Sequence, residues 1–186
     1  MVKVSPLKKK KCRTCKELFT PFSSLAVACS PMCAIEVAKE AKKKKARKRL
    51  KEGRERLKTL SDHLNEAQTA CNAYIRERDG NNCISCGVRY NSTEYGGKID
   101  CGHYRSVGSA PHLRFYTLNM SSQCVKCNRY LSGNSVEMRK GMVLRYGVAL
   151  VDKIEADQRP RKYTADDLKR LTKIFKKKRK MLHCNK

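Results

Sequence analysis

Four close cysteine pairs are the first chemistry visible in this 186-residue chain: Cys12-x2-Cys15, Cys29-x3-Cys33, Cys83-x2-Cys86 and Cys124-x2-Cys127. Two such pairs supply four thiolates, the donor set of a tetrahedral structural Zn2+ site. Two zinc sites are therefore expected, one on Cys12, Cys15, Cys29 and Cys33 and one on Cys83, Cys86, Cys124 and Cys127. The other reading of the first set is a metal-free, redox-sensitive loop. Met1 to Lys11 leads straight into a cysteine pair and holds no apolar signal core, so a reducing, cytoplasmic setting is expected and a disulfide framework is not. Cys71, Cys101 and Cys184 stay unassigned.

The second cysteine set brackets a run that carries His103 among polar residues: Arg78-Asp79-Gly80, Asp100-x2-His103, Asn119, Asn128 and Leu131-Ser132-Gly133-Asn134. Imidazole takes a proton near neutral pH, so His103 is suited to deprotonate an attacking water. A phosphodiester also needs charge stabilised on its oxygens. A hard cation such as Mg2+ does that with few protein ligands and several waters, and Asp100, Asn128 and Asn134 offer oxygens. A structural histidine is the plainer reading of His103. A zinc protein that binds DNA or RNA without cutting needs neither the histidine nor the asparagines between the pairs.

His103, Asn119 sixteen residues later and the position after Cys127 together resemble the HNH, or beta-beta-alpha-metal, nucleases with zinc-binding cysteines. Asn128 stands where the usual final histidine would be, as in endonuclease VII-like enzymes. Gly102-His103-Tyr104, Leu113-Arg114-Phe115, Gln123 through Asn128 and Leu131 through Asn134 resemble the NinG, or Rap, recombination family of lambda-like phages, over most of the chain. The resemblance implies a phage-encoded structure-specific endonuclease in the bacterial host cytoplasm. It would cut branched double-stranded DNA, such as Holliday junctions and D-loops, alongside phage recombination proteins. His103 would be the general base, Asn119 would hold the histidine strand, and Asn128 would bind Mg2+ or Mn2+. Arg105, Arg114 and Arg129 would reach phosphate. Many HNH nucleases carry a ligand directly before the base, where this chain has Gly102. Asp100 shares a strand face with position 102 and is the expected substitute, with Asn134 its competitor. Cys101 would share the face of His103 as a small buried hydrophobe, His63 and His112 receive no role, and His183 with Cys184 reads as a frayed tail or, alternatively, a metal-ligating pair.

Positioning these groups calls for an α+β chain in four parts. Residues 1–33 form an N-terminal zinc knuckle, in which Ser30 and Pro31 start a helix. Residues 34–78 hold a long basic helix, or a helix broken near Thr59 and Ser61. Its heptad seam runs through Ala46, Leu50, Gly53, Leu57, Leu60, Leu64, Ala67, Cys71 and Tyr74. The seam suits a coiled coil in a homodimer, packing on another helix of the same chain, or a plain amphipathic helix. Residues 79–134 form the zinc-stapled HNH-like module. Residues 135–186 hold two short helices, Ser135 to Leu144 and Val148 to Ala156, separated by a Tyr146-Gly147 turn, and a last helix, capped at Thr164 to Asp167 and apolar at Leu168, Leu171, Ile174 and Phe175.

Charge selects the partner. Forty-three Lys or Arg against 17 Asp or Glu leave a net charge of +26, which favours a polyanion. Lys39 to Lys58 alone holds twelve cations and three glutamates, and Lys169 to Lys180 is a second basic run. Lys43, Lys44, Arg47 and Arg54 of the first and Lys176, Lys177 and Lys178 of the second are the expected phosphate contacts. No membrane association is expected: the longest apolar patch, Gly141 to Val151, is broken by Arg145, far short of the roughly 20 apolar residues a spanning helix needs.

Overall fold

A computed structural model describes residues 7–80, 82–89 and 99–184, in two units that divide after Lys58. In the first, β1 (Lys10–Lys11) and β2 (Leu18–Phe19) pair antiparallel, with Lys10 opposite Phe19. The turn between them closes through Cys12 N–H to the Glu17 carbonyl (2.8 Å) and Lys16 N–H to the Cys12 carbonyl (3.0 Å). α1 (Pro31–Arg56) follows the second cysteine pair. Ser30 caps it by accepting from the Cys33 amide at 3.3 Å, and Pro31 fills the first turn, where a missing donor costs nothing. None of α1's residues is buried, and the apolar seam at Leu50 and Leu57 is left exposed.

The helical region expected over 34–78 is two helices. Leu57 ends the first. Thr59 starts α2 (Leu60–Asp79) with a capping box: its amide donates to the Asp62 carboxylate at 2.8 Å, and its hydroxyl accepts from the Asp62 amide at 3.2 Å. The heptad seam divides there. Leu50 and Leu57 are exposed, whereas Leu64, Ala67, Cys71 and Tyr74 join a core within the second unit.

That core lies between α2 and α5 (Ala165–Cys184). Tyr74 meets Phe175 at 5.9 Å between centroids and Glu77 pairs with Arg179, so the two helices run in the same direction. The expected Thr164–Asp167 capping box launches α5, with the Thr164 amide 3.1 Å from the Asp167 carboxylate. Leu168 and Phe175 are buried, and Ile174 is 40% exposed. Against this pair lies a hairpin of β3 (Ile99–His103) and β4 (Met120–Cys124), in register from Ile99 opposite Cys124 to His103 opposite Met120. Cys101 and Met120 face the helices.

A second core joins α3 (Ser135–Tyr146) and α4 (Val148–Ala156) to Ala110 and Leu113. Gly147, at φ +83°, makes the turn between these helices. α3 rests on the Cys83–Cys86 turn so closely that a Cβ on Gly141 would lie 2.2 Å from the Ile84 carbonyl oxygen. Among the described residues, no helix is long and apolar enough to cross a membrane.

Candidate functional site

Each expected cysteine set converges, with its four sulfurs within 4.8 Å of one another. A tetrahedral Zn2+ with Zn–S bonds of about 2.3 Å requires sulfurs about 3.8 Å apart. Cys15 to Cys29 is 3.5 Å, Cys29 to Cys33 3.7 Å and Cys86 to Cys124 3.9 Å, so both tetrads could hold zinc. One thiol in each is drawn toward its charged form. Burial opposes this at Cys12, but amides of Cys15, Cys29 and Thr14 aimed at its sulfur outweigh it and bring the thiol down to about 6. Cys83 is lowered in the same way, against burial, by amides of Cys124, Cys86 and Ser85. Burial pushes Cys71 up to about 12 and raises Cys101 as well. Both fit the role of small core residues.

The second tetrad braces the hairpin. Ile84 N–H donates to the Ser122 carbonyl at 3.0 Å, tying the Cys83–Cys86 turn to β4. Gln123, fully buried, donates to Ser85 Oγ at 2.6 Å and to the Gly133 carbonyl at 2.7 Å. It thereby links the segments that follow Cys83 and Cys127. A carbonyl only accepts, so the amide orientation of Gln123 is set and its Oε1 turns to Gly102. A Cβ there would lie 1.9 Å from that oxygen. Gly102 is therefore a packing requirement, and the place of a preceding ligand is filled by Gln123.

His103 is half-buried at the end of β3, with Nε2 3.0 Å from the Arg114 carbonyl oxygen. That carbonyl requires Nε2 to carry the proton, leaving the lone pair on Nδ1. Burial holds the imidazole below its ordinary value, aided by the Arg114 charge, while the carbonyl bond works the other way. Asn119, fully buried, grips the next turn of chain: Oδ1 accepts from Arg105 N–H at 2.9 Å, and Nδ2 donates to the Arg105 carbonyl at 3.0 Å. Its backbone carbonyl accepts from Tyr104 at 2.9 Å.

On the opposite strand face, Asp100 and Asn128 come together, the Asn128 amide donating to the Asp100 carboxylate at 3.0 Å. Arg129 clamps the same carboxylate through Nε (2.7 Å) and Nη2 (3.0 Å), and this chiefly lowers the Asp100 pKa. Among the described residues no hydrogen bond joins this pair to His103. Asn134 lies elsewhere, its amide 3.6 Å from Cys127 Sγ. Two expected phosphate contacts are otherwise engaged: Arg129 on Asp100, and Arg105 on the Ile154 and Asp157 carbonyls at the end of α4. The reason in both cases is a nearer anion or carbonyl. Arg114 approaches Gln68 Oε1 at 3.4 Å. Lys43, Lys44, Arg47 and Arg54 on α1, and Lys176, Lys177 and Lys178 on α5, are exposed.

Asp79 and Gln123 are supports with no role in the sequence reading. Asp79 accepts from Arg78 (2.6 and 2.9 Å) and from the Ser122 amide (2.9 Å), and lies 3.1 Å from Arg145. Arg78 reaches on to the Thr117 and Met120 carbonyls. The signal for Asp79 was an Arg-Asp-Gly run closing a helix, and for Gln123 a polar residue where a covered strand face calls for an apolar one.

The family model described as Bacteriophage Lambda NinG protein matches residues 4–185. Protein ninG of Salmonella phage P22 is 36% identical over 187 residues, covering 90% of each chain. Protein ninG of Escherichia phage lambda is 35% identical over 187 residues, covering 90% of this chain and 89% of that one. Protein ninG of Escherichia phage 933W is 35% identical over 193 residues, covering 94% of each. No solved structure matches this chain.

Proposed function

From the premise that this chain belongs to the bacteriophage lambda NinG protein family, we propose that it is a metal-dependent endonuclease of the HNH type, acting on branched DNA in phage recombination. The observation that carries the reading is His103: a neutral imidazole, oriented by the Arg114 carbonyl with Nδ1 left as acceptor. Water attacks phosphorus as its proton passes to Nδ1 of His103, and the bond to the 3′ oxygen breaks. Asn119 keeps the chain after His103 in place. Asp100 and Asn128 are the residues that would hold Mg2+ or Mn2+, one carboxylate and one amide oxygen leaving room for waters. The cation, when bound, supplies positive charge to the phosphate oxygens. The guanidinium of Arg129 lies where that charge would be and must give way, and Asn128 must turn its oxygen inward. Asn134 serves the cysteine tetrad.

The lysines and arginines of α1 and α5 supply a sequence-independent grip on phosphate. The exposed seam of α1 at Leu50 and Leu57 is where a second copy would pair. Two sites would then face two strands of a symmetric junction. Sedimentation giving one chain per particle at micromolar concentration would remove the dimer from this account.

The test is cleavage of a synthetic four-way junction in Mg2+, with linear duplex as control. The parent is expected to cut the junction, and His103→Ala to bind it without cutting. A His103→Ala protein that cuts as fast as the parent would refute the mechanism. A parent that binds junctions and never cuts would establish the non-catalytic alternative, a zinc protein that binds DNA.

A further inference from the structure

The loop from Pro111 to Tyr116 has two sides. One orients His103 through the Arg114 carbonyl. The other helps wall a cavity of about 490 Å3, whose apolar surface comes from Tyr116, Leu150, Ile154 and Pro160. Tyr116 is 40% exposed, so its ring is available to a ligand. Three cations line the space, Lys153, Arg159 and Arg161, against one carboxylate, Asp157. Arg159 already neutralises that carboxylate, with Nη2 2.7 Å from Oδ2. The Asp157 carbonyl is taken by Arg105 and by His112 Nε2 at 2.9 Å. Lys153 and Arg161 are exposed and carry no carboxylate within ion-pair distance among the described residues. What remains is an aromatic face, an apolar floor and two cations.

That combination narrows the ligand. A bare phosphate uses the cations and leaves the ring and floor idle, and an acidic peptide has no need of a stacking surface. A nucleotide has both a π face and a charged phosphate, and base–aromatic stacking with backbone-tracking cations is how single-stranded nucleic acid is held. A duplex keeps its bases stacked inside, whereas an unpaired nucleotide leaves the stack at little cost. Resting on the DNA-cleaving reading above for the nature of the polymer, we propose that this cavity takes an unpaired nucleotide of branched DNA, its base on Tyr116 and its phosphates on Lys153 and Arg161. The loop that walls the cavity also carries the carbonyl that orients the His103 ring, so seating a nucleotide and orienting the general base depend on one segment. Selectivity then follows for branches that carry an unpaired nucleotide, such as the displaced strand of a D-loop, because a fully paired duplex has no nucleotide to seat.

The experiment measures binding without added Mg2+ or Mn2+, using the full zinc-loaded chain and three DNAs. These are a duplex with one unpaired nucleotide, the same duplex with that nucleotide made abasic, and a perfect duplex. The parent is expected to bind the base-bearing DNA about 5- to 150-fold tighter than the abasic one. Tyr116→Ala should bring those two affinities together, Tyr116→Trp should restore the gap, and neither should change affinity for the perfect duplex. Lys153→Glu should weaken the unpaired DNA more than the perfect duplex.

Equal affinity of the parent for the base-bearing and abasic DNAs would overturn the proposal. So would a base preference that survives Tyr116→Ala, or a Tyr116→Ala loss shared equally by all three DNAs. Binding of free deoxynucleoside 5′-monophosphate as tight as that of the unpaired DNA would assign the cavity to free nucleotide and overturn it too. Failure of the nuclease reading looks different: the base preference would be present, and the junction would stay uncut in Mg2+.

Discussion

Replacing Gly102 with alanine puts the support of the site under a defined load. In an open strand the change would gain up to about 1 kcal/mol, since glycine loses more backbone freedom on folding. Here the new methyl would lie 1.9 Å from Gln123 Oε1, 2.7 Å from its Cδ and 3.1 Å from its Cγ. The Gln123 side chain has no solvent to retreat into, and moving it breaks bonds of 2.6 Å to Ser85 and 2.7 Å to the Gly133 carbonyl. Two buried hydrogen bonds, with at least one partner left unpaired, cost about 3–4 kcal/mol. Net destabilisation of about 2–3 kcal/mol is expected once the glycine entropy is credited. Ser85 lies between Cys83 and Cys86, and Gly133 follows Cys127, so zinc should also leave the second tetrad faster. Urea unfolding of the zinc-loaded chain and the rate of metal loss to a chelator measure the two effects. Gln123→Ala removes the obstacle, so Gly102→Ala/Gln123→Ala should be more stable than the sum of the single changes by about 1–2 kcal/mol. A Gly102→Ala protein as stable as the parent, or a strictly additive double variant, would refute the packing argument.

Arg129→Ala frees Asp100 from a guanidinium that is 64% exposed at its side chain. A pair this exposed is weak, so Mn2+ should bind no more than about fivefold tighter by calorimetry, and Asp100→Asn should abolish that gain. Asp79→Asn removes the charge facing half-buried Arg78 and Arg145, and should lower urea stability by about 3–5 kcal/mol; a loss below 1 kcal/mol would show that the network is not a support. His103 is held below 6.5 mainly by burial, so on acidification the unfolded chain takes up a proton before the folded one does. Stability should fall as pH drops below about 6.5, levelling once the folded imidazole titrates, and His103→Asn should flatten this part of the profile. Identical pH profiles for the two proteins would contradict the burial argument.

Local spacing was legible in the chain. Cys-x2-Cys and Cys-x3-Cys pairs, a Ser30-Pro31 start, the Thr164–Asp167 box and the Gly147 turn are each decided within a few residues. The two tetrads, the start of α1 and α5 and the break between α3 and α4 match that reading. The heptad seam was less informative, because a 3.5-residue period states which face is apolar and not what will cover it. One stretch of it is exposed at Leu50 and Leu57, and the next is buried against α5 at Ala67 and Cys71.

The sequence by itself determined the cysteine framework, the basic helices and the presence of His103 between the pairs, because these depend on residue type and short spacing. Only the tertiary structure decided how those groups are used. It brought the Arg114 carbonyl to His103, placed Arg129 and Asn128 on Asp100, spent Arg105 on the end of α4 and filled the space beside Gly102 with Gln123. Each of these contacts joins residues at least ten positions apart. A side chain's partner at that range is chosen by the packing of whole elements against one another, which no local pattern encodes.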